Sequence, residues 1–213
     1  MYVNNIHMAV KKIQLTNFTK IEIQIVKYFF RHYKDRLNAR QLAKILNLNH
    51  AHVNKLCSLL FKKKLLVKEK IGNSAYFTFD YNSSLAAKFM EYLLSLEETE
   101  FPEWLLVALH SLRSFNNHIK FGCVFGSSIK SKDFNDVDVL LVYGKENSNK
   151  IKLVKEEIRK SQLIDKPIRY MDITEQDIIM NKDKPIFYSI LSENLIFYNP
   201  EKYVDVIRNA AHR

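Results

Sequence analysis

Asp136 and Asp138 are the two residues of this chain whose type and spacing best suit chemistry. They lie at the start of an apolar run, 137–143, that predicts a β-strand, and side chains two positions apart in a strand share one face. Two neighbouring carboxylates repel each other unless a cation neutralises them. Oxygen ligands without clustered His or Cys favour Mg²⁺ or Mn²⁺ over zinc. The pair is therefore a candidate divalent-metal site, and the alternative is a solvated turn at a strand start.

The elements around this pair alternate between strand and helix patterns, which predicts a small mixed sheet with helices packed on it. The chain as a whole is therefore expected to have an α+β fold. We predict strands over residues 119–125, 137–143, 168–173 and 195–198 and helices over residues 103–115, 150–161, 174–194 and 201–210. The helix 103–115 is expected to bury Leu105, Leu106, Leu109 and Leu112.

Gly126-Ser127, a short spacer and Asp136-Val137-Asp138 before an apolar strand resemble the signature of the minimal nucleotidyltransferases of the DNA polymerase beta superfamily. The resemblance extends over residues 102–204. It implies a transfer of a nucleoside monophosphate from a nucleoside triphosphate to a hydroxyl group, with Mg²⁺ or Mn²⁺ held by the two aspartates. On this interpretation Gly126 and Ser127 contact the triphosphate, because glycine permits a close backbone approach and the serine hydroxyl can hold a phosphate. Lys130 either neutralises a phosphate or is an ordinary surface lysine.

The resemblance also implies a third carboxylate on a later strand, which completes the metal site and can deprotonate the acceptor. The predicted strand 168–173 has Arg169 at the expected position. Asp172 is the candidate third catalytic residue, but its odd offset of three places it on the opposite face. A one-residue bulge would restore it to the same face as Asp136 and Asp138.

The excess positive charge lies at the start of the chain. Residues 1–80 contain 15 Lys and Arg against 4 Asp and Glu, whereas residues 81–213 contain 18 against 19. The first part therefore has a net charge of +11 and the second a net charge of −1. This asymmetry indicates two modules and a polyanionic partner for the first one.

The first 80 residues also contain helix and hairpin signals in a characteristic order. Thr19 and Asn38 are predicted N-caps of two helices, a third helix follows Asn49, and two strand patterns flank Gly72-Asn73. Leu42, Ile45 and Leu46 are expected to form the buried face of the helix after Asn38. Residues 15–80 resemble the winged helix-turn-helix domains of prokaryotic transcriptional regulators, which implies binding of double-stranded DNA. The alternative is a module for dimerisation or protein docking. The predicted DNA contacts are Asn49, His52, Asn54, Lys55, Ser58, Lys62 and Lys70.

We predict a DNA-binding domain over residues 1–81, a connecting helix over 82–101 and a nucleotidyltransferase-like domain over 102–213. Residues 1–20 lack an apolar signal core and no apolar run is long enough to span a bilayer, so we expect a cytoplasmic protein without membrane contact. Cys57 and Cys123 lie among apolar neighbours and are expected to be buried free thiols.

Three functions remain open from the sequence. The first is a nucleotidyltransferase that uses a nucleoside triphosphate and modifies a protein, nucleic acid or small molecule. The second is a transcriptional regulator whose degenerate nucleotidyltransferase-like domain senses a nucleotide or forms a homodimer, and Arg169 favours it. Tailing of RNA ends ranks last, because nothing in the basic module resembles a platform for stacking single-stranded bases.

Overall fold

The computed structural model describes residues 18–161 and 166–211, so the predictions for residues 1–17 lie outside the described residues. The chain divides into two compact units, and the boundary falls between Ala86 and Ala87. No helix in the described ranges is long and apolar enough to cross a membrane.

Among the described residues, the first unit contains three helices and a small sheet. The elements are α1 (Lys20–Arg31), β1 (Leu37–Asn38), α2 (Ala39–Leu46), α3 (His50–Lys62), β2 (Leu66–Ile71) and β3 (Ser74–Phe79). The three strands pair in the order β1-β3-β2, and both pairings are antiparallel. This order of helices, together with the hairpin of β2 and β3, defines a winged helix-turn-helix fold.

Side-chain caps determine where these helices begin. The Thr19 hydroxyl accepts a hydrogen bond from the N–H of Glu22, and the Glu22 carboxylate accepts one from the N–H of Thr19. Asn38 and Gln41 form the same reciprocal arrangement at α2. Each cap satisfies backbone donors that have no partner inside the helix. Both predicted capping boxes are confirmed.

The core of the first unit is aliphatic and aromatic, and it includes Phe29, Leu42, Leu60 and Phe77. Ile45 was predicted to lie on the buried face of α2, but 51% of it is exposed. The helix has only eight residues, so one narrow stripe of Ala39, Leu42 and Ala43 provides its whole buried face.

The elements of the second unit are α4 (Ser84–Glu97, which contains the boundary), α5 (Glu103–Leu112), β4 (Phe121–Phe125), β5 (Val137–Val142), α6 (Ser148–Ser161), β6 (Ile168–Ile173), α7 (Glu175–Asn181), α8 (Pro185–Ser192), β7 (Asn194–Tyr198) and α9 (Pro200–Ala211). Its strands form a four-stranded mixed sheet with the order β6-β5-β4-β7. The strand β4 is antiparallel to β5 and β7, whereas β5 and β6 are parallel. Together with the first unit this confirms the predicted α+β class.

The central strand β5 is buried on both faces of the sheet. Val139 and Leu141 pack in a cluster with Ile151 and Val154 of α6. Leu140 of the opposite face is also buried. Strands covered on both sides hold their register firmly, since a slip of one residue would exchange the two faces. The sheet therefore fixes the positions of the residues at the ends of β5.

Two predictions for this unit were wrong. The stretch 174–194 was predicted as one helical segment, but Pro185 begins a separate helix after a break. Proline fits the first turn of a helix, because the N–H that it lacks would have no partner there. Leu106 was expected in the core, but 45% of it is exposed on the outer face of α5.

Candidate functional sites

The predicted carboxylate pair lies at the start of β5. Asp136 immediately precedes the strand, and Asp138 is its second residue. In the parallel pairing with β6, Asp138 lies opposite Arg169. The Arg169 Nη2 atom is 2.8 Å from the Oδ2 atom of Asp136. The side chain of Asp136 is only 15% exposed, whereas that of Arg169 is 72% exposed. The cation beside the pair is therefore a guanidinium group that reaches it from the solvent side.

Asp138 experiences opposing electrostatic effects from this arrangement. Burial raises the pKa of Asp138, and the negative charge of Asp136 raises it further. The positive charge of Arg169 acts in the opposite direction, but the net direction is upward. The two carboxylates and one guanidinium group have a formal net charge of −1, so the neutralisation is incomplete.

Gly126 lies against the same carboxylate. Its φ of +81° falls in the left-handed region that side chains rarely adopt. A Cβ atom at this position would overlap with Oδ2 of Asp138 and would lie 3.2 Å from its Cγ. The structure therefore brings Gly126, Asp136, Asp138 and Arg169 together at one edge of the sheet.

The rest of the Gly-Ser turn contributes less to this group. Residues Gly126–Ile129 form a short 3-10 turn, and the carbonyl oxygen of Ser127 accepts hydrogen bonds from the N–H groups of Lys130 and Ser131, each at 3.0 Å. Ser127 is exposed. The ammonium group of Lys130 forms an ion pair with Glu193. Of the predicted nucleotide contacts, Ser127 is accessible and Lys130 already has an acidic partner.

Asp172 is not part of this group. It lies opposite Leu141 in the register of β5 and β6, which runs without interruption from Ile168 to Ile173. The bulge that would have restored Asp172 to the face of Asp138 does not occur, so the assignment of Asp172 to the catalytic set has no geometric support. Asp172 instead pairs with Lys155 of α6, and its charge and hydrogen bond contribute, after burial, to the raised pKa of Tyr143.

The metal centre implied by the resemblance does not fit these residues. No group of three or more His, Cys, Asp or Glu side chains in the described ranges could hold a metal ion. Asp136 already forms an ion pair with Arg169, and Arg169 also lies opposite Asp138 in the pairing of β5 and β6. A divalent cation would have to displace or repel Arg169 to reach the pair.

The predicted DNA contacts lie on the outward face of α3 and on β2. His52, Asn54, Lys55 and Lys62 are exposed, and Ser58 is half-buried. Lys70 is exposed on β2, which pairs only with β3 among the strands of residues 18–161 and 166–211.

Asn49, which was predicted to contact DNA, has a structural role as a helix cap. Its Oδ1 atom accepts hydrogen bonds from the N–H groups of Ala51 and His52 at 2.9 and 3.2 Å, which makes it the N-cap of α3. Its position before a helix could have indicated this role from sequence.

Two exposed residues on the same surface were missing from the predicted contacts. Ala51 lies three positions before Asn54, and Lys68 lies two positions before Lys70. The helical and strand periods place each of them beside a predicted contact, so periodicity alone could have found them.

A partly buried ion pair anchors the end of α3. The Nζ atom of Lys63 lies 2.9 Å from Oε1 of Glu22, whose side chain is only 4% exposed. Burial raises the pKa of Glu22, but hydrogen bonds from Thr19 and Lys63 and the charge of Lys63 outweigh this effect, so the net direction is downward. This ion pair connects the start of α1 to the residue that follows α3.

Comparisons with known proteins give little beyond this geometry. No protein-family model and no curated protein matches the chain. Among solved structures, the chain is similar to the adhesin competence repressor AdcR from Streptococcus pyogenes, with 21% sequence identity and a TM-score of 0.28. The match covers 47% of this chain and 81% of that chain. A TM-score this low supports no conclusion about a shared fold or function.

Proposed function

We propose that this chain is a DNA-binding transcriptional regulator that contacts double-stranded DNA with α3 and the hairpin of β2 and β3. The supporting observation is the outward face of α3, where His52, Asn54, Lys55 and Lys62 are exposed while Val53, Leu56, Cys57 and Leu60 of the same helix are buried. The positive charge of residues 1–80 gives this unit an electrostatic attraction to phosphates. In a winged helix, such a helix enters the major groove and the hairpin contacts the adjacent backbone.

We further propose that the second unit is a nucleotidyltransferase-like domain without catalytic activity. Arg169 occupies the strand position opposite Asp138, and Asp172 lies on the other face of the sheet. These positions disfavour nucleotidyl transfer to a protein or other acceptor. They also disfavour Mg²⁺ or Mn²⁺ as a cofactor. The net charge of −1 at Asp136, Asp138 and Arg169 would also repel a nucleoside triphosphate. Of the two non-catalytic roles, homodimerisation is therefore favoured over nucleotide sensing.

Fluorescence anisotropy with labelled duplex DNA tests the DNA-binding proposal. We expect measurable binding at low salt, with an affinity that falls steeply as salt increases. Lys55→Ala, Lys62→Ala and Lys70→Ala should each weaken binding and each reduce the salt slope by about 1. Lys152→Ala, on the exposed side of α6, is the matched control and should change neither quantity. A chain that binds no duplex even at low salt would refute the proposal.

Labelled ATP with Mg²⁺ tests the claim about the second unit. We expect no transfer of label to the chain or to candidate acceptors, and no difference between the native chain and Asp136→Ala or Asp138→Ala. Transfer that either substitution abolishes would establish the enzymatic function instead. Sedimentation of the native chain across a range of concentrations separately tests homodimerisation.

A further inference from the structure

We propose that Asn54 recognises an adenine in the major groove, so that the DNA site of this protein contains an essential A·T pair. This inference rests on the proposed function, and it adds the base that one side chain of α3 recognises.

The first argument is the orientation of Asn54 on α3. The buried residues of this helix are Val53, Leu56, Cys57 and Leu60. Asn54 points away from them and is exposed. Its amide group has no hydrogen-bond partner among the described residues. Both its donor and its acceptor are therefore available to a ligand on the outer face of the helix.

The second argument is the chemistry of the amide. The carbonyl oxygen of Asn accepts a hydrogen bond and its NH₂ group donates one, which matches the N6 donor and N7 acceptor of adenine. Guanine presents two acceptors, N7 and O6, on the same edge and leaves the carbonyl oxygen without a donor. Asn49, the other asparagine near the start of α3, uses its carbonyl oxygen for the helix cap. Asn54 is therefore the side chain of α3 best suited to distinguish adenine from guanine.

The third argument is the size of the neighbouring side chains. Ala51 and Ser58 lie at i−3 and i+4 from Asn54 and share its stripe on the helix surface. Both are small, so they do not hold the short Asn side chain away from a base edge. The methyl group of Ala51 is also suited to contact the C5-methyl group of a thymine.

The long basic side chains lie on the adjacent stripe. Lys55 and Lys62 are exposed and lie seven residues apart, and His52, also exposed, lies three positions before Lys55. Lysine side chains are long and charged enough to reach the phosphates on either side of the groove. Over residues 51–58 the short side chains of Ala51, Asn54 and Ser58 thus lie beside a stripe that contains Lys55, whereas the last turn of α3 also exposes Leu59 and Phe61.

Selection of duplexes from a pool with about 20 randomised base pairs tests the inference, since a helix-turn-helix dimer spans sites of this length. We expect the selected sites to share an A·T pair whose replacement by G·C weakens binding of the native chain about tenfold or more. Asn54→Ala should lose this discrimination at that one pair and retain it elsewhere. Asn54→Arg should change the preference to G·C, because arginine donates to both acceptors of guanine.

Lys55→Ala is the matched control on the adjacent stripe, and it should lower the affinity for all duplexes by a similar factor. Since both positions are exposed, these variants should retain the native fold, which circular dichroism checks. DNA binding in which Asn54→Ala leaves every base preference unchanged would overturn the inference while the proposed function stands. Absence of binding to the whole pool would overturn the proposed function and the inference with it.

Discussion

The guanidinium group of Arg169 lies 2.8 Å from the carboxylate of Asp136, at the start of β5, where the sequence predicted a metal ion. This contact follows from strand register, because Arg169 is opposite Asp138 in the parallel pairing of β5 and β6. One positive side chain thus offsets part of the negative charge of the two close aspartates.

Replacing Arg169 by aspartate should create a metal site. The Arg169→Asp variant places three carboxylates on one face and removes the competing cation, which is the oxygen-rich environment that Mn²⁺ prefers. We expect the native chain to bind no Mn²⁺ at millimolar concentration and the variant to bind one ion, measured by titration calorimetry or by the electron paramagnetic resonance signal of Mn²⁺.

Lys152→Asp provides the control for this experiment. It introduces the same charge change on the exposed side of α6 and should bind no Mn²⁺. Combining Arg169→Asp with Asp138→Asn should abolish the gained binding. Equal Mn²⁺ binding by the native chain and by Arg169→Asp would show that the guanidinium group does not exclude the metal.

The ionisation of Asp138 should also depend on Arg169. Burial and the charge of Asp136 raise the pKa of Asp138, and Arg169 lowers it. Removing the positive charge in Arg169→Gln should therefore raise the pKa of Asp138 further above its ordinary value. Carbon-13 NMR titration of the aspartate carboxyl groups would measure this shift. An unchanged or lower pKa in the variant would contradict the electrostatic coupling.

Local patterns predicted most of the fold because they act over a few residues. The caps at Thr19 and Asn38 and the hairpin around Gly72 each depend on contacts within three or four positions. Exposure was harder to predict. Leu85 belongs to an apolar stripe but is 58% exposed, because burial depends on which neighbours pack against a helix. The two-residue strand β1 was missed because it is too short to show an alternating pattern.

The faces on which the strand residues of the candidate site lie could be predicted, because side chains alternate along a strand. The odd offset between Arg169 and Asp172 placed them on opposite faces, and the uninterrupted register of β6 confirms this. The ion pairs formed by Lys130 and Lys155 could not be predicted, because their partners Glu193 and Asp172 come from distant segments. Sequence spacing determines the face of a strand, whereas the partner of a long side chain depends on tertiary structure.

Glu22 should contribute stability that depends on pH. Its pKa is lowered in the folded chain, so the stabilisation is fully present above the ordinary value of 4.5 and is lost as the pH falls through the lower folded value. Glu22→Gln should cost about 1–3 kcal/mol at pH 7, because it removes the charged acceptor of the hydrogen bonds from Lys63 and from the N–H of Thr19. Urea unfolding, monitored by hydrogen exchange in α1 and α3, measures this loss.

The exposed ion pair of Glu69 and Arg36 offers a control for the partly buried one. Glu69→Gln should change the unfolding free energy by less than about 1 kcal/mol, since exposed pairs contribute little. The difference between native and Glu22→Gln chains should shrink as the pH approaches the folded pKa of Glu22. A constant difference down to pH 3 would show that the effect of Glu22→Gln is not electrostatic.

Gly126 and Gly72 allow backbone strain to be separated from steric overlap with a carboxylate. Both have positive φ, +81° and +57°, but a Cβ at Gly72 would meet nothing within 4 Å, whereas a Cβ at Gly126 would overlap with Asp138.

Gly72→Ala should therefore cost only about 1–2 kcal/mol of strain, and Gly126→Ala should cost about 1–3 kcal/mol more. Urea unfolding measures both variants: the fluorescence of Trp104, the single tryptophan, follows the second unit, and hydrogen exchange in the hairpin of β2 and β3 follows the first. Adding Asp138→Ala to Gly126→Ala should recover the steric part of the loss and leave the strain. Equal costs at the two glycines, or no recovery in the double variant, would show that the contact between Gly126 and Asp138 is not tight.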